Sequence, residues 1–249
     1  MINQPLAKSL SKQLICARND GPAISPASVD DRLNAETAYA VQAAVAAEIG
    51  PVGAFKTARK PGHPVIMAPI FKNDVVRSHA RFTADRFGLI GIELEIGFIV
   101  LNQLPPVNAP DFRARVRDCV APAAVIEVVD TRLTDIPSAP ALLRLADNQL
   151  NGGLVVGEPN REWQGQNLSH VSATLSFDDD LVLDGPADVP GGDAFESFCV
   201  LAEMVGSHCG GLKPGHVVIT GSLNGMPFVP EGTRVSGSIA GIGEVSAEF

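Results

Sequence analysis

The chain has 249 residues, 45% of them hydrophobic and 5% aromatic, with 24 glycines and 19 prolines. That is ample apolar material for a core, and the turn-forming residues favour short strands over a helical bundle. A formal charge of −9, without any block of Lys or Arg, argues against nucleic acid or an anionic membrane as the main partner.

In chain order, Leu6, Leu10, Leu14 and Ile15 recur at helical spacing within residues 2–18, with no continuous apolar run of the signal-peptide kind. A second helix, rich in Ala and Gln, is expected from a cap at Ser28 or Asp30 through Glu48. From Val52 the texture changes to short apolar runs separated by Gly, Pro, Asp and Asn, the pattern of strands and turns. Two later helical windows are expected, near Ala139 to Asn151 and near Asp193 to Ser207. In the second, Phe195, Phe198, Leu201, Ala202 and Val205 recur at helical intervals, and Gly210-Gly211 closes it. Strand-like runs follow at Val217 to Thr220, Thr233 to Ile239 and Gly243 to Phe249. Strands and helices in irregular order point to an α+β architecture. Cys16, Cys119, Cys199 and Cys209 have no CxxC spacing and read as reduced structural thiols. No run is long enough to span a bilayer, and a cytoplasmic location is the default expectation.

The run Gly91-Ile92-Glu93-Leu94-Glu95-Ile96-Gly97-Phe98-Ile99-Val100 is apolar except for two acidic residues in alternate positions. As a strand it puts Glu93 and Glu95 on one face, about 6.6 Å apart, with Leu94, Ile96 and Phe98 on the other. A second apolar strand, Ala123 to Asp130, is broken in the same way by Glu127. Taking carboxylates out of water without a partner costs several kcal/mol, and like charges raise that cost. Something cationic should hold them. Three carboxylates with no His or Cys motif are hard ligands, which favour Mg²⁺ or Mn²⁺ over zinc or copper. The competing reading is that these residues pair with Arg or Lys at strand edges. The histidines, His63, His79, His170, His208 and His216, show no metal-binding spacing.

These residues resemble the 2-keto-4-pentenoate hydratase/4-oxalocrotonate decarboxylase family of the fumarylacetoacetate hydrolase superfamily. Ala38-Tyr39-Ala40-Val41-Gln42 is similar to a helical segment of that family, and Glu93-Leu94-Glu95-Ile96-Gly97-Phe98 to its metal-binding strand. Ile126 to Arg132 is similar to the stretch holding its third ligand, and Ala146-Asp147-Asn148 with Gly152-Gly153 to a downstream segment. The closing strands from Leu212 to Phe249 extend the likeness nearly end to end.

The resemblance implies a fumarylacetoacetate-hydrolase-like fold, a highly twisted mixed β-sheet with flanking helices. An N-terminal helical segment over 1–50 and a catalytic domain over 51–249 would form one integrated unit, assembled as a homo-oligomer. It implies a metal-dependent lyase of aromatic-compound catabolism, with Glu93, Glu95 and Glu127 holding Mg²⁺ or Mn²⁺. The leading reaction is hydration of a small 2-hydroxydienoate or 2-oxo-alkenoate. Alternatives are a 2-oxo acid decarboxylase, an acylpyruvate-type hydrolase, for which no motif surrounds His63 or His79, and a non-catalytic partner subunit.

Lys56 lies close to the family's lysine and is expected to orient the substrate carboxylate or, provided burial lowers its pKa, to exchange a proton with the enol, its alternative being a solvated strand-end lysine. Asp147 is expected to act as a general base through water or beside the metal, its alternative being a helix cap. Thr220, Gly221 and Ser222 would bind the substrate carboxylate through amides and hydroxyls. Two stretches depart from the family pattern. Lys56-Thr57-Ala58-Arg59-Lys60 replaces a Lys-Ile-Gly-Leu-Thr segment, and in Phe71-Lys72-Asn73-Asp74 only Asp74 remains of an acidic pair.

Overall fold

Two helices open the chain, and each begins where an asparagine side chain can take up a free backbone N–H. A computed structural model, describing residues 1–83 and 85–249, places α1 at Gln4–Arg18 and α2 at Ala35–Ile49. Asn3 Oδ1 accepts from the Leu6 N–H at 3.2 Å, and Asn34 Oδ1 from the Thr37 N–H at 2.9 Å. The second helix therefore starts later than a cap at Ser28 or Asp30 would put it. Pro26–Ser28 form a single 3₁₀ turn, and the Asp30 carboxylate is taken by Arg32 at 2.5 Å.

The strands are β1 (Val52–Ala58), β2 (Ile66–Phe71), β3 (Val75–Arg77), β4 (Ala80–Arg81), β5 (Gly91–Val100) and β6 (Val120–Val129), then β7 (Asn151–Val156), β8 (His170–Phe177) and β9 (Asp180–Asp188), and last β10 (Val217–Ser222), β11 (Arg234–Ile239) and β12 (Gly243–Glu248). Seven of them form a mixed sheet in the order β2-β1-β10-β5-β6-β7-β3. Its edge strands, β2 and β3, are consecutive in the chain and joined only by the turn Lys72–Asp74. A flat sheet of this size would be roughly 30 Å wide, whereas a three-residue link reaches only about 14 Å. The sheet must therefore curl into a half-barrel. A second sheet, β4-β12-β11-β8-β9, and the helices cover its outside.

Alternation along the strands gives the half-barrel two different faces. Leu94, Ile96 and Phe98 of β5 point outward into the main core. There they join Leu10 and Leu14 of α1, Val41 of α2, and Phe195 and Phe198 of α5 (Ala194–Val205). The inner face carries Ala54, Ile70, Val125, Leu154, Val217 and Ile219. Glu93, Glu95, Glu127 and Lys56 follow these residues at the period of two.

The window from Ala139 to Asn151 is helical only in its first half. After α3 (Phe112–Arg117), α4 covers Ala141–Ala146. Asn148, Gln149 and Leu150 then take positive φ values of 50°, 53° and 62°, and Asn151 opens β7. Helix α5 is capped by Asp193, whose Oδ1 accepts from the Phe195 N–H, and stops at Gly206 rather than at Gly210-Gly211. All four cysteines are free thiols, and no helix among the described residues is long and apolar enough to cross a membrane.

Candidate metal centre

Strand register brings the acidic residues together. Glu93 on β5 stands directly opposite Glu127 on β6, and Glu95 follows two residues along the same inner face. One carboxylate oxygen from each of the three lies within 4.8 Å of the others. Glu95 and Glu127 are buried. Lys56 arrives from β1, two strands from β5 in the sheet order, and is only 15% exposed. Its Nζ donates to both oxygens of Glu127, at 2.6 and 2.7 Å, and to the Gln149 carbonyl at 3.1 Å. Asn151 Nδ2 donates to Glu127 Oε1 at 2.7 Å, and the Gly221 N–H donates to Glu95 Oε2 at 2.6 Å.

One ammonium does not balance three carboxylates. Burial, reinforced by the charge of Glu127, pushes the Glu93 carboxyl up to about 8, against the partial relief that Lys56 supplies. Burial and the charges of Glu127 and Glu93 raise Glu95 well above the usual carboxylate range. Burial alone would lower the Lys56 ammonium, but the charges of Glu127, Glu93 and Glu95 outweigh it, and the net shift is upward. With every group ionised, the cluster carries two unbalanced negative charges, which a divalent cation would cancel. The donors are all oxygens, the set suited to a hard ion. On charge and on chemistry the residues present fit such an ion.

The other expected residues lie around this cluster in different ways. Asp147 is fully buried, and its carboxylate pairs with Arg132 rather than with Lys56 or the three glutamates. Arg132 Nε donates to Asp147 Oδ1 at 2.5 Å, and Thr131 Oγ1 to Oδ2 at 3.1 Å. Thr220 Oγ1 donates to the Ile96 carbonyl at 2.9 Å, and Ser222 Oγ to the Gly225 carbonyl at 2.6 Å. Of the three residues at the end of β10, Gly221 is the one that donates to a carboxylate of the cluster. Asp74, in the divergent turn, forms an ion pair with Arg86 at 2.5 Å.

Sequence reasoning missed three contributors. Asn151 holds Glu127, the Gln149 carbonyl holds Lys56, and Asn224 clamps β5 by bonding the Leu94 N–H and the Ile92 carbonyl. The signal for Asn151 was its position at the head of an otherwise apolar strand. A backbone carbonyl such as that of Gln149 leaves no signal in residue type.

A curled mixed sheet with a carboxylate triad and a half-buried lysine on its inner face defines an α+β protein with a candidate divalent-metal centre. Comparison with known proteins narrows the class. No family model matches the chain. It is 31% identical over 125 residues to 2-keto-4-pentenoate hydratase 1 of Dechloromonas aromatica (strain RCB), covering 50% of this chain and 47% of that protein. It is 29% identical over 161 residues to the 2-keto-4-pentenoate hydratase of Paraburkholderia xenovorans (strain LB400), covering 64% and 58%. The chain thus aligns with about half the length of these relatives. Its fold matches 4-oxalocrotonate decarboxylase from Pseudomonas putida G7, solved with magnesium and adipate, with a TM-score of 0.82 at 17% identity, over 100% of this chain and 99% of that one. Fumarylpyruvate hydrolase from Pseudomonas aeruginosa, solved with Mn²⁺ and pyruvate, matches with a TM-score of 0.54 at 17% identity, over 78% and 88%. The chain is thus similar in sequence to the 2-keto-4-pentenoate hydratases and in fold to 4-oxalocrotonate decarboxylase and fumarylpyruvate hydrolase.

Proposed function

We propose that this protein is a Mg²⁺- or Mn²⁺-dependent lyase acting on a small 2-oxo acid or its dienol, with decarboxylation of the 4-oxalocrotonate type as the first reading. The observation that carries the metal-dependent chemistry is the Glu93/Glu95/Glu127 cluster facing Lys56. Decarboxylation is favoured over hydration because the decarboxylase fold is matched along the whole chain, whereas the hydratase sequences align with only part of it. The second reading, hydration, rests on those sequence identities of 29–31%.

Glu93, Glu95 and Glu127 would hold the metal ion, which supplies Lewis acidity to stabilise negative charge on the 2-oxo group. The remaining work falls to the chain's own residues. Lys56, kept as an ammonium by the surrounding carboxylates, donates to the substrate's carboxylate or enol oxygen and returns a proton to carbon once the electron pair has been accepted. Gly221 and Asn151 fix the rotamers of Glu95 and Glu127 through the 2.6 and 2.7 Å bonds. Ser222, in register with Glu95, would meet the substrate at the end of β10, and Thr220 anchors that strand end. Asp147 acts by position, fixing the turn that presents Gln149 and Asn151. Residues 51–249 would carry the reaction, with the helices of 1–50 as part of the same unit.

The test is turnover of 4-oxalocrotonate by purified protein with and without Mg²⁺ or Mn²⁺, with products identified by mass. Metal-dependent loss of carbon dioxide is expected. Gain of water by 2-hydroxypenta-2,4-dienoate, with 4-oxalocrotonate left intact, would replace this reading by hydration. Two organic acids from a 1,3-diketo acid would replace it by hydrolysis.

A further inference from the structure

Arg59 stands three residues beyond Lys56, about 10 Å along the chain at strand rise, just past the end of β1. It lies in the stretch where Lys56-Thr57-Ala58-Arg59-Lys60 departs from the family pattern. Its Nη2 donates to the Gly191 carbonyl, while its Nε–H is buried with no partner. Two other cations near the site are satisfied from within, Lys56 by Glu127 and Arg132 by Asp147. Among the described residues Arg59 has no carboxylate partner. A cationic N–H withdrawn from water and left idle is costly, and an anion brought from outside removes that cost.

The surroundings of Arg59 lead back to the carboxylate cluster. Gly191 packs so closely on Arg59 that a Cβ there would collide with the Arg59 carbonyl. The preceding residue, Pro190, packs on Gly221, where an added Cβ would lie 3.0 Å from the proline Cβ. Gly221 in turn donates to Glu95. Arg59, Pro190-Gly191 and Gly221 thus form one chain of contacts that ends at Glu95.

We propose that Arg59 binds the distal carboxylate of a dicarboxylic 2-oxo acid whose other end lies at the Glu93/Glu95/Glu127 cluster, so that this chain selects diacids over monoacids of the same length. The inference rests on the 2-oxo acid reading above. It adds a specificity residue that the carboxylate cluster does not supply, and a bidentate guanidinium–carboxylate contact is well suited to that selection.

The experiment compares calorimetric binding of 2-oxoadipate with that of 2-oxohexanoate, which has the same carbon chain and a methyl group in place of the distal carboxylate. Both are titrated into Mg²⁺-loaded wild-type, Arg59→Met and Arg59→Lys proteins. The wild type is expected to bind the diacid at least about tenfold more tightly, the scale of one charge-assisted contact. Arg59→Met should lose that preference while binding 2-oxohexanoate as before, which also shows that the variant is folded, and Arg59→Lys should keep part of it. An unchanged preference in Arg59→Met, or equal weakening of both acids, would overturn the assignment. If neither acid binds the wild type even with Mg²⁺, the underlying 2-oxo acid reading fails, and this inference fails with it. If both acids bind equally and only with Mg²⁺, the reading stands and the role of Arg59 falls.

Discussion

Lys56 Nζ reaches both carboxylate oxygens of Glu127. A metal ion must share Glu127 with that ammonium, and the two cations repel one another at short range. Replacing Lys56 by Met, similar in length but uncharged, is therefore expected to strengthen Mg²⁺ binding on the order of tenfold. Turnover should be abolished in the same variant if Lys56 is the proton donor proposed above. Isothermal titration with Mg²⁺, paired with the decarboxylation assay, checks both halves. A merely structural lysine would instead lower metal affinity by loosening Glu127. Asn151 bears on the same point from the other side, because its amide keeps Glu127 oriented whichever cation is present.

The segment that supplies Gln149 and Asn151 is neither helix nor strand. Three successive non-glycine residues, 148–150, sit in the left-handed region, at a cost of roughly 1–2 kcal/mol each. The Arg132–Asp147 pair holds them there, since Arg132 also donates to the Asn151 carbonyl at 2.9 Å and the Asp147 carbonyl at 3.0 Å, closing the turn at both ends. Asp147→Asn removes the charge that balances buried Arg132 and is expected to destabilise the protein by about 3–5 kcal/mol in urea unfolding. Its effect on turnover should follow from the displaced turn, with the pH dependence of the rate unchanged; loss of one limb of that profile would make Asp147 a proton-transfer group. This turn also marks where sequence reading ran out. The period-two placement of Glu93 and Glu95 and the parallel case of Glu127 were legible because alternation in an apolar run fixes a face. Helix α5 was legible from its apolar stripe. The left-handed turn was not, because Asn148-Gln149-Leu150 continue a helical pattern locally and only a long-range ion pair bends them out of it. Helix α2 began late for a similar reason: Asp30 was a plausible cap until Arg32 claimed its carboxylate.

At the scale of the whole molecule, a chain of net charge −9 repels the organic acid it is proposed to bind. On that proposal Lys56, Arg59 and a bound divalent ion would together supply the positive charge that offsets this repulsion. Glu93 keeps its proton up to about pH 8 in the folded protein and gives it up near the ordinary value of 4.5 when unfolded. Between those limits the unfolded chain binds fewer protons, so the stability of the metal-free protein falls as pH rises through that window. Glu95, also raised, acts in the same direction. A bound divalent ion requires both carboxylates deprotonated, so Mg²⁺ affinity rises with pH and binding below about pH 8 releases protons. Thermal unfolding in EDTA and in saturating Mg²⁺ should therefore diverge from about pH 5.5 to about pH 8.5, the metal-free midpoint dropping while stabilisation by Mg²⁺ grows. A metal-free midpoint that rises across the same range would mean that Glu93 and Glu95 are already ionised, with Lys56 alone sufficient to hold all three carboxylates.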